Sequence, residues 1–273
     1  MAMELPTTTH PTHLARTMRI ALGLEYTGTH FCGWQTQPHA PSIQHHVETA
    51  LSKVANHPIT VTCAGRTDTG VHATAQVIHT DVTAPRTMRS WILGTNANLS
   101  TEISILWAQP VDENFHARFT AQARHYRYLI LNRPTRPAIL AKRVTWERKP
   151  LDIEPMQAAA KQLIGTHDFT SYRATACQAK SPIRTITHLT IARTNQQITI
   201  DIAANAFLHH MVRNIAGVLM TIGRGEQQPK WAKTVLEARN RTAGGITAPP
   251  DGLYLYQIDY PEPYNFPKPP PPF

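Results

Sequence analysis

Three cysteines in 273 residues, Cys32, Cys63 and Cys177, are too few and too scattered to build a disulfide framework or a zinc knuckle. The chain is expected in a reducing compartment, the cytoplasm. No apolar run is long enough for a signal peptide or a bilayer crossing, so a membrane is not an expected partner. Acidic residues are also scarce: 18 Asp and Glu face 27 Lys and Arg, a formal charge of +9. A polyanion is the natural partner. None of the 15 histidines stands in a His-Glu-x-x-His spacing, and Cys-x-x-Cys is absent. The pairs His45 with His46, His209 with His210, and His72 with His79 therefore carry no specific metal signal, and no metal is expected. Gly65-Arg-Thr-Asp-Thr-Gly70 and Gly223-Arg-Gly225 lack both a P-loop Lys-Ser/Thr and a triple-glycine dinucleotide pattern.

Strand and helix periods alternate along the chain. From Met18 to Tyr26 apolar residues occupy every second position, the pattern of a half-buried strand. Ser42 is placed to cap a helix whose Ile43, Val47, Ala50, Leu51 and Val54 recur at helical spacing up to Asn56. Ile59 to Ala64 and Ala75 to Thr80 read as strands, 90–96 as a short helix and 103–108 as a further strand. A second lobe opens with a strand over 123–131 that carries Tyr126 and Tyr128 on one face and Arg127 on the other. Then follow a helix over 153–164, a hairpin of 183–192 and 198–203 around Asn195, a strongly apolar helix over 207–222 and a closing strand over 253–260. Hairpins interrupted by helices predict an α+β fold, with a largely antiparallel sheet and helices on one side. The expected division is a flexible arm at 1–17, an N-terminal lobe at 18–113, a C-terminal lobe at 114–264 and a proline-rich tail at 265–273.

One segment stands out chemically. Between two strand-like stretches, Gly65 and Gly70 bracket a loop that holds Arg66 and a single carboxylate, Asp68. Glycines permit backbone angles that other residues avoid, so the loop is either a reaction centre or a hairpin whose Asp bonds its own backbone. Arg213 lies on the apolar helix among Met211, Val212, Ile215 and Val218; from the residues alone it is either a helix-surface arginine facing solvent or a buried one, and an arginine buried in such company requires an anion. Arg66, Arg118, Arg124, Arg127, Arg173, Arg184, Arg213 and Arg241 fall in blocks rich in Gly, Tyr and His, and guanidinium forks suit phosphate oxygens.

Gly65-Arg-Thr-Asp-Thr-Gly-Val-His72 resembles the active-site motif of the tRNA pseudouridine synthase A family, departing from it at Thr69, where Ala is expected. The resemblance runs on through Glu25-Tyr-Thr-Gly28, Gly33-Trp-Gln35, Asn96-Ala-Asn-Leu99, Phe115-His-Ala-Arg-Phe119, Arg124-His-Tyr-Arg-Tyr128, His167-Asp-Phe-Thr170, Asn205 to Asn214 and Gly252-Leu-Tyr-Leu255. Thr27 is a second departure, where Asp is expected. The resemblance implies two similar lobes sharing a continuous sheet, with a central basic cleft between them.

It also implies roles. Asp68 is the catalytic aspartate of uridine isomerisation, as a nucleophile at C1′ or as the stabiliser of a sugar-derived intermediate; the sequence leaves both open. Arg213 pairs with it, Tyr126 stacks on the target base and assists loss of the C5 proton, and Arg66 enters the RNA in place of the flipped nucleotide. The implied substrate is tRNA, at uridines thirty-eight to forty of the anticodon stem-loop, the implied assembly a homodimer, and no cofactor is implied. The alternative is a catalytically silent RNA-binding protein on the same fold. Asp68, Tyr126 and Arg213 together argue against it, since a pure binder has no use for a buried carboxylate beside a phosphate backbone. A metal-dependent hydrolase would lose activity with a chelator.

Overall fold

The computed structural model describes residues 17–175 and 177–270. The expected arm, apart from Thr17, and the last three residues of the tail lie outside the described residues. The first strand, β1 (Met18–Tyr26), buries Ile20, Leu22, Leu24 and Tyr26 as its alternation requires. It is covered on the other face too. Ala21 is fully buried, and the Trp107 indole lies where Gly23 has no side chain. Helix α1 (Ile43–Ala55) starts where the Ser42 hydroxyl accepts from the His45 N–H, and it ends at Asn56 in the left-handed region.

Of the strand expected over 59–64, only β2 (Thr62–Cys63) pairs, with β3 (His72–Val82). Helix α2 (Met88–Asn96), capped by Thr87, and β4 (Ile103–Val111) complete the first half. The second half contains β5 (Ala123–Asn132), β6 (Thr145–Glu147), α3 (Ile153–Lys161), β7 (Gly165–Asp168), β8 (Ile183–Thr194), β9 (Gln197–Ala204), α4 (Met211–Gly223), α5 (Trp231–Ala238) and β10 (Leu253–Asp259). The expected start of α4 at 207 moves to 211. His210 adopts φ 63°, a left-handed turn that breaks the helical path ahead of it.

Among the described residues, ten strands form one sheet in the order β4-β1-β3-β10-β5-β9-β8-β7, with β2 beside β3 and β6 beside β5. The chain's last strand is therefore central. β10 pairs parallel with β3, Tyr254 opposite His72, and antiparallel with β5, so it joins the strands of 18–111 to those of 123–204. Apart from the β3–β10 and β5–β6 pairings, the described strand pairs are antiparallel, as expected of the α+β class.

The strand β5 shows where the helices lie. Tyr126, Tyr128 and Ile130 belong to the main core with apolar residues of all five α-helices, whereas Leu129 and Leu131 pack into a small cluster with Leu140, Val144 and Tyr254. Alternate side chains point to opposite faces, so the helices share one face. Burial of each large aliphatic or aromatic side chain there contributes roughly 1.5–3 kcal/mol.

Candidate active site

The Asp68 loop follows β2 and is gripped from three directions. The Trp34 N–H donates to the Thr67 carbonyl at 3.0 Å, and the Gly70 N–H to the Phe31 carbonyl at 3.4 Å. Gly33 makes that approach possible. It holds φ 87°, and a Cβ there would stand 2.7 Å from the Thr67 carbonyl oxygen. Underneath, the fully buried Gln76 donates to the Gly65 carbonyl at 2.6 Å and to the Tyr26 hydroxyl at 3.3 Å, while that hydroxyl and the Thr67 hydroxyl share a bond of 2.8 Å. Of the two bracketing glycines only Gly70 is left-handed, at φ 79°. The Asp68 backbone is thus fixed by groups that never touch its carboxylate.

The carboxylate itself faces the start of α4. Arg213 Nη1 lies 3.5 Å from Oδ2, with the Arg213 and Asp68 side chains 14% and 20% exposed, so the pair is largely desolvated. Arg213 is held from behind: its Nε donates to the Ala248 carbonyl at 2.9 Å, and the Ala248 N–H donates to the Arg213 carbonyl at 3.1 Å. Segment 246–248 reaches it because Gly217, one turn further along, leaves room; a Cβ there would stand 2.0 Å from the Ile246 carbonyl oxygen.

Two histidines complete the enclosure. His209 Nε2 lies 3.3 Å from Asp68 Oδ1 and His210 Nε2 3.6 Å from Oδ2, their rings 3.9 Å apart. Desolvation pushes the Asp68 carboxyl up, but the hydrogen bond from His209 and the charges of His210, His209 and Arg213 outweigh it and hold Asp68 below its ordinary value. Asp68 is an anion at neutral pH. The hydrogen bond to Asp68 raises His209, whereas burial lowers His210.

Tyr126 is 7% exposed, its ring packed edge-on against Phe207 at 5.0 Å. Its hydroxyl stands 3.8 Å from the place a Cβ would take on Gly65, which sets it beside the loop. Burial, and then the Asp68 charge, raise its pKa far above the ordinary phenol value. Tyr126 enters any reaction near neutrality as a neutral phenol. Tyr128, on the same face, has its hydroxyl bonded to Thr145 and the Pro249 carbonyl. Arg66 is exposed at the loop's surface.

The structure divides the arginines expected on phosphates. Arg124 is 8% exposed and donates to the carbonyls of Ala64, Ala121, Asn205 and Arg118, with no carboxylate among these partners. Arg127 pairs with Asp201 at 2.7 Å, Arg184 bonds the carbonyls of Ser181 and Ile183, and Arg241 bonds Asn214 and Thr247. These four are engaged by groups of the chain itself, while Arg66 and Arg118 are exposed. His72 and His79 are structural as well: His72 Nδ1 accepts from the Gly28 N–H at 3.1 Å, and His79 Nδ1 from the Ala117 N–H at 3.1 Å.

His209 and His210, weighed in the sequence only as metal ligands, are the site residues that reading misses. Their adjacency to Arg213 within one block is the available signal; the left-handed turn that bends both rings to Asp68 is not readable from it. With Asp68 they form a group of three donors whose ligand atoms lie within 4.8 Å of one another, the spacing of a metal site. Arg213 already places a cation 3.5 Å from the same carboxylate, which opposes a dication there.

Comparison with known proteins identifies the family. A family model described as tRNA pseudouridine synthase matches residues 24–120 and 159–261, segments that include Arg66, Asp68 and Arg213 but not Tyr126. The tRNA pseudouridine synthase A of Nitrosococcus oceani is 60% identical over 251 residues, covering 92% of this chain and 97% of its own. The protein of the same name from Pseudomonas aeruginosa is 57% identical over 251 residues, covering 92% and 88%. That from Coxiella burnetii is 54% identical over 252 residues, covering 92% and 97%. Among the described residues no helix is long and apolar enough to cross a membrane.

Proposed function

The chain belongs to the tRNA pseudouridine synthase family, and from that premise we propose that it isomerises uridine to pseudouridine in the anticodon stem-loop of tRNA, with Asp68 as the catalytic carboxylate. The observation that carries this reading is a carboxylate kept ionised in a largely desolvated site by Arg213 and His209, beside a buried tyrosine. An ionised carboxylate is what both open mechanisms need, attack at C1′ or stabilisation of a cationic sugar. Breaking the N-glycosidic bond, turning the uracil and bonding C5 to C1′ involves no net redox change or hydrolysis, so the reaction needs no redox cofactor.

Arg213 balances the Asp68 charge whenever the carboxylate is free of the sugar. Tyr126 presents its ring to the base and assists loss of the C5 proton. Arg66, exposed two residues before Asp68, occupies the gap left by the flipped uridine and offsets part of the lost stacking. The active assembly is a homodimer.

The test is to incubate the full chain with unmodified tRNA transcripts, with and without a chelator, and to map pseudouridine by carbodiimide-stop sequencing. Pseudouridine at positions thirty-eight to forty in both arms is expected. Modification confined to another arm of the tRNA, or lost with the chelator, overturns the corresponding part of the proposal.

A further inference from the structure

The most exposed aromatic ring near the Asp68 loop is one the mechanism does not use. Phe119 is 75% exposed, although an apolar side chain of its size normally contributes to the core. It does not stand alone. Its ring stacks on His116 at 4.3 Å with 28° between planes, and the Arg118 guanidinium lies 5.5 Å from its centroid.

The segment that carries it is rigid. Phe115 and Ala117 are fully buried, the Tyr260 hydroxyl donates to the Ala117 carbonyl at 2.7 Å, and the Thr120 N–H closes on the His116 carbonyl at 2.9 Å. The His116 Nδ1 accepts from the N–H groups of both Arg118 and Phe119 at 3.2 Å, which locks the imidazole under the phenyl ring. The turn is also tied to the candidate catalytic loop. One nitrogen of Arg124, Nη2, donates to the carbonyls of both Arg118 and Ala64, and Ala64 is two residues before Arg66. Phe119, Arg118 and Arg66 therefore project from backbone held by a single guanidinium.

An exposed aromatic face backed by an imidazole and flanked by arginine has the chemistry of a nucleobase platform: the ring offers stacking to any base, and the cations hold the phosphates on either side. We infer that Phe119 stacks on a base of the bound tRNA close to the flipped uridine, with Arg118 on an adjoining phosphate. This rests on the tRNA reading above. It adds a binding subsite outside the Asp68 pocket that tolerates different bases, because every base has a π-face.

The experiment is equilibrium binding of an unmodified tRNA transcript across a salt series, by the wild-type chain and by Phe119→Trp, Phe119→Leu and Arg118→Ala. Phe119→Leu should bind about tenfold more weakly with an unchanged salt slope, and Phe119→Trp should keep wild-type affinity. Arg118→Ala should lower the salt slope by about one. Phe119→Leu keeps apolar volume at an exposed position, and unchanged thermal unfolding verifies its fold. Affinity within twofold of wild type for that variant overturns the inference. So does a change in its sedimentation, which would make Phe119 a contact between copies of the chain. Failure of the wild-type chain to bind the transcript would instead overturn the tRNA reading, so the two failures are distinct.

Discussion

The floor and the wall of the Asp68 pocket are built by opposite rules. In the floor, Gln76, Tyr26, Thr67 and Arg124 meet their partners mostly at normal hydrogen-bond distances, 2.6 Å for Gln76 to Gly65 and 2.8 Å between Tyr26 and Thr67, and all are buried. In the wall, the three basic side chains around Asp68 stand off at 3.3 to 3.6 Å. A closed floor fixes where the carboxylate is; a loosely contacted wall leaves it free to engage a ligand. Preorganisation of this kind places the rigidity in the backbone and leaves the reacting atoms with unfilled hydrogen-bonding capacity.

If that division is correct, substitutions in the wall should remove chemistry and substitutions in the floor should remove stability. The largest effect is expected for Asp68→Asn, which keeps the volume and deletes the reactive charge: isomerisation should be abolished while tRNA affinity stays within a few-fold. Single-turnover conversion by that variant at more than a trace of the wild-type rate would show that the wall does not hold the reacting group. Arg213→Ala comes next, because it deprives a largely desolvated Asp68 carboxylate of its guanidinium partner. The rate should fall by about 10²–10³-fold, the size of losing one preorganised electrostatic partner. Full activity in Arg213→Ala would dissolve the pairing.

Arg124→Met tests the floor. The guanidinium satisfies four carbonyls, and leaving buried carbonyls without donors costs about 1–3 kcal/mol each where water cannot replace it. A marked drop in denaturant midpoint is expected, with the residual folded protein still bearing an ionised Asp68. Unchanged stability would remove Arg124 from the floor. Tyr126→Phe belongs to the wall and should leave stability and binding nearly intact while the reaction fails to complete; wild-type turnover would reduce Tyr126 to a stacking surface.

The sequence makes the local features of this fold legible and hides the non-local ones. The alternation in β1, the Ser42 cap and the reversal at Asn195 all depend on neighbours within a few residues, and all three are found. Strands β6 and β7, of three and four residues, are too short for a period to show. Helix α5 has no side-chain cap at its start and ends on Arg239 where glycine would be the usual signal. The central place of β10 depends on pairing with β3, some 180 residues earlier in the chain. The site divides in the same way. Asp68, Arg213 and Tyr126 are named by motif, but the motif does not reveal that Arg124 faces inward or that His209 and His210 turn toward Asp68.

Those two histidines supply the smallest and most specific test. They contact the same carboxylate, yet His209 is raised by its hydrogen bond to Asp68 and His210 is lowered by burial. A group whose folded pKa exceeds its unfolded one stabilises below the unfolded value and ceases to do so as pH rises through the folded value, which is the case of His209. Asp68, depressed on folding, stabilises above its unfolded value and loses that effect as pH falls through its folded value. The two contributions overlap between the ordinary carboxylate and imidazole ranges, about pH 4 to 6.5, where the Asp68–His209 contact should contribute most, while His210, lowered by burial, opposes it there. Histidine titration by NMR in wild type and Asp68→Asn separates the causes: loss of the carboxylate should drop His209 to or below its ordinary value and should lower His210 further, since each loses its upward pull. If His209 titrated identically in both proteins, the carboxylate would not be its partner, and His209 would have no place in the wall.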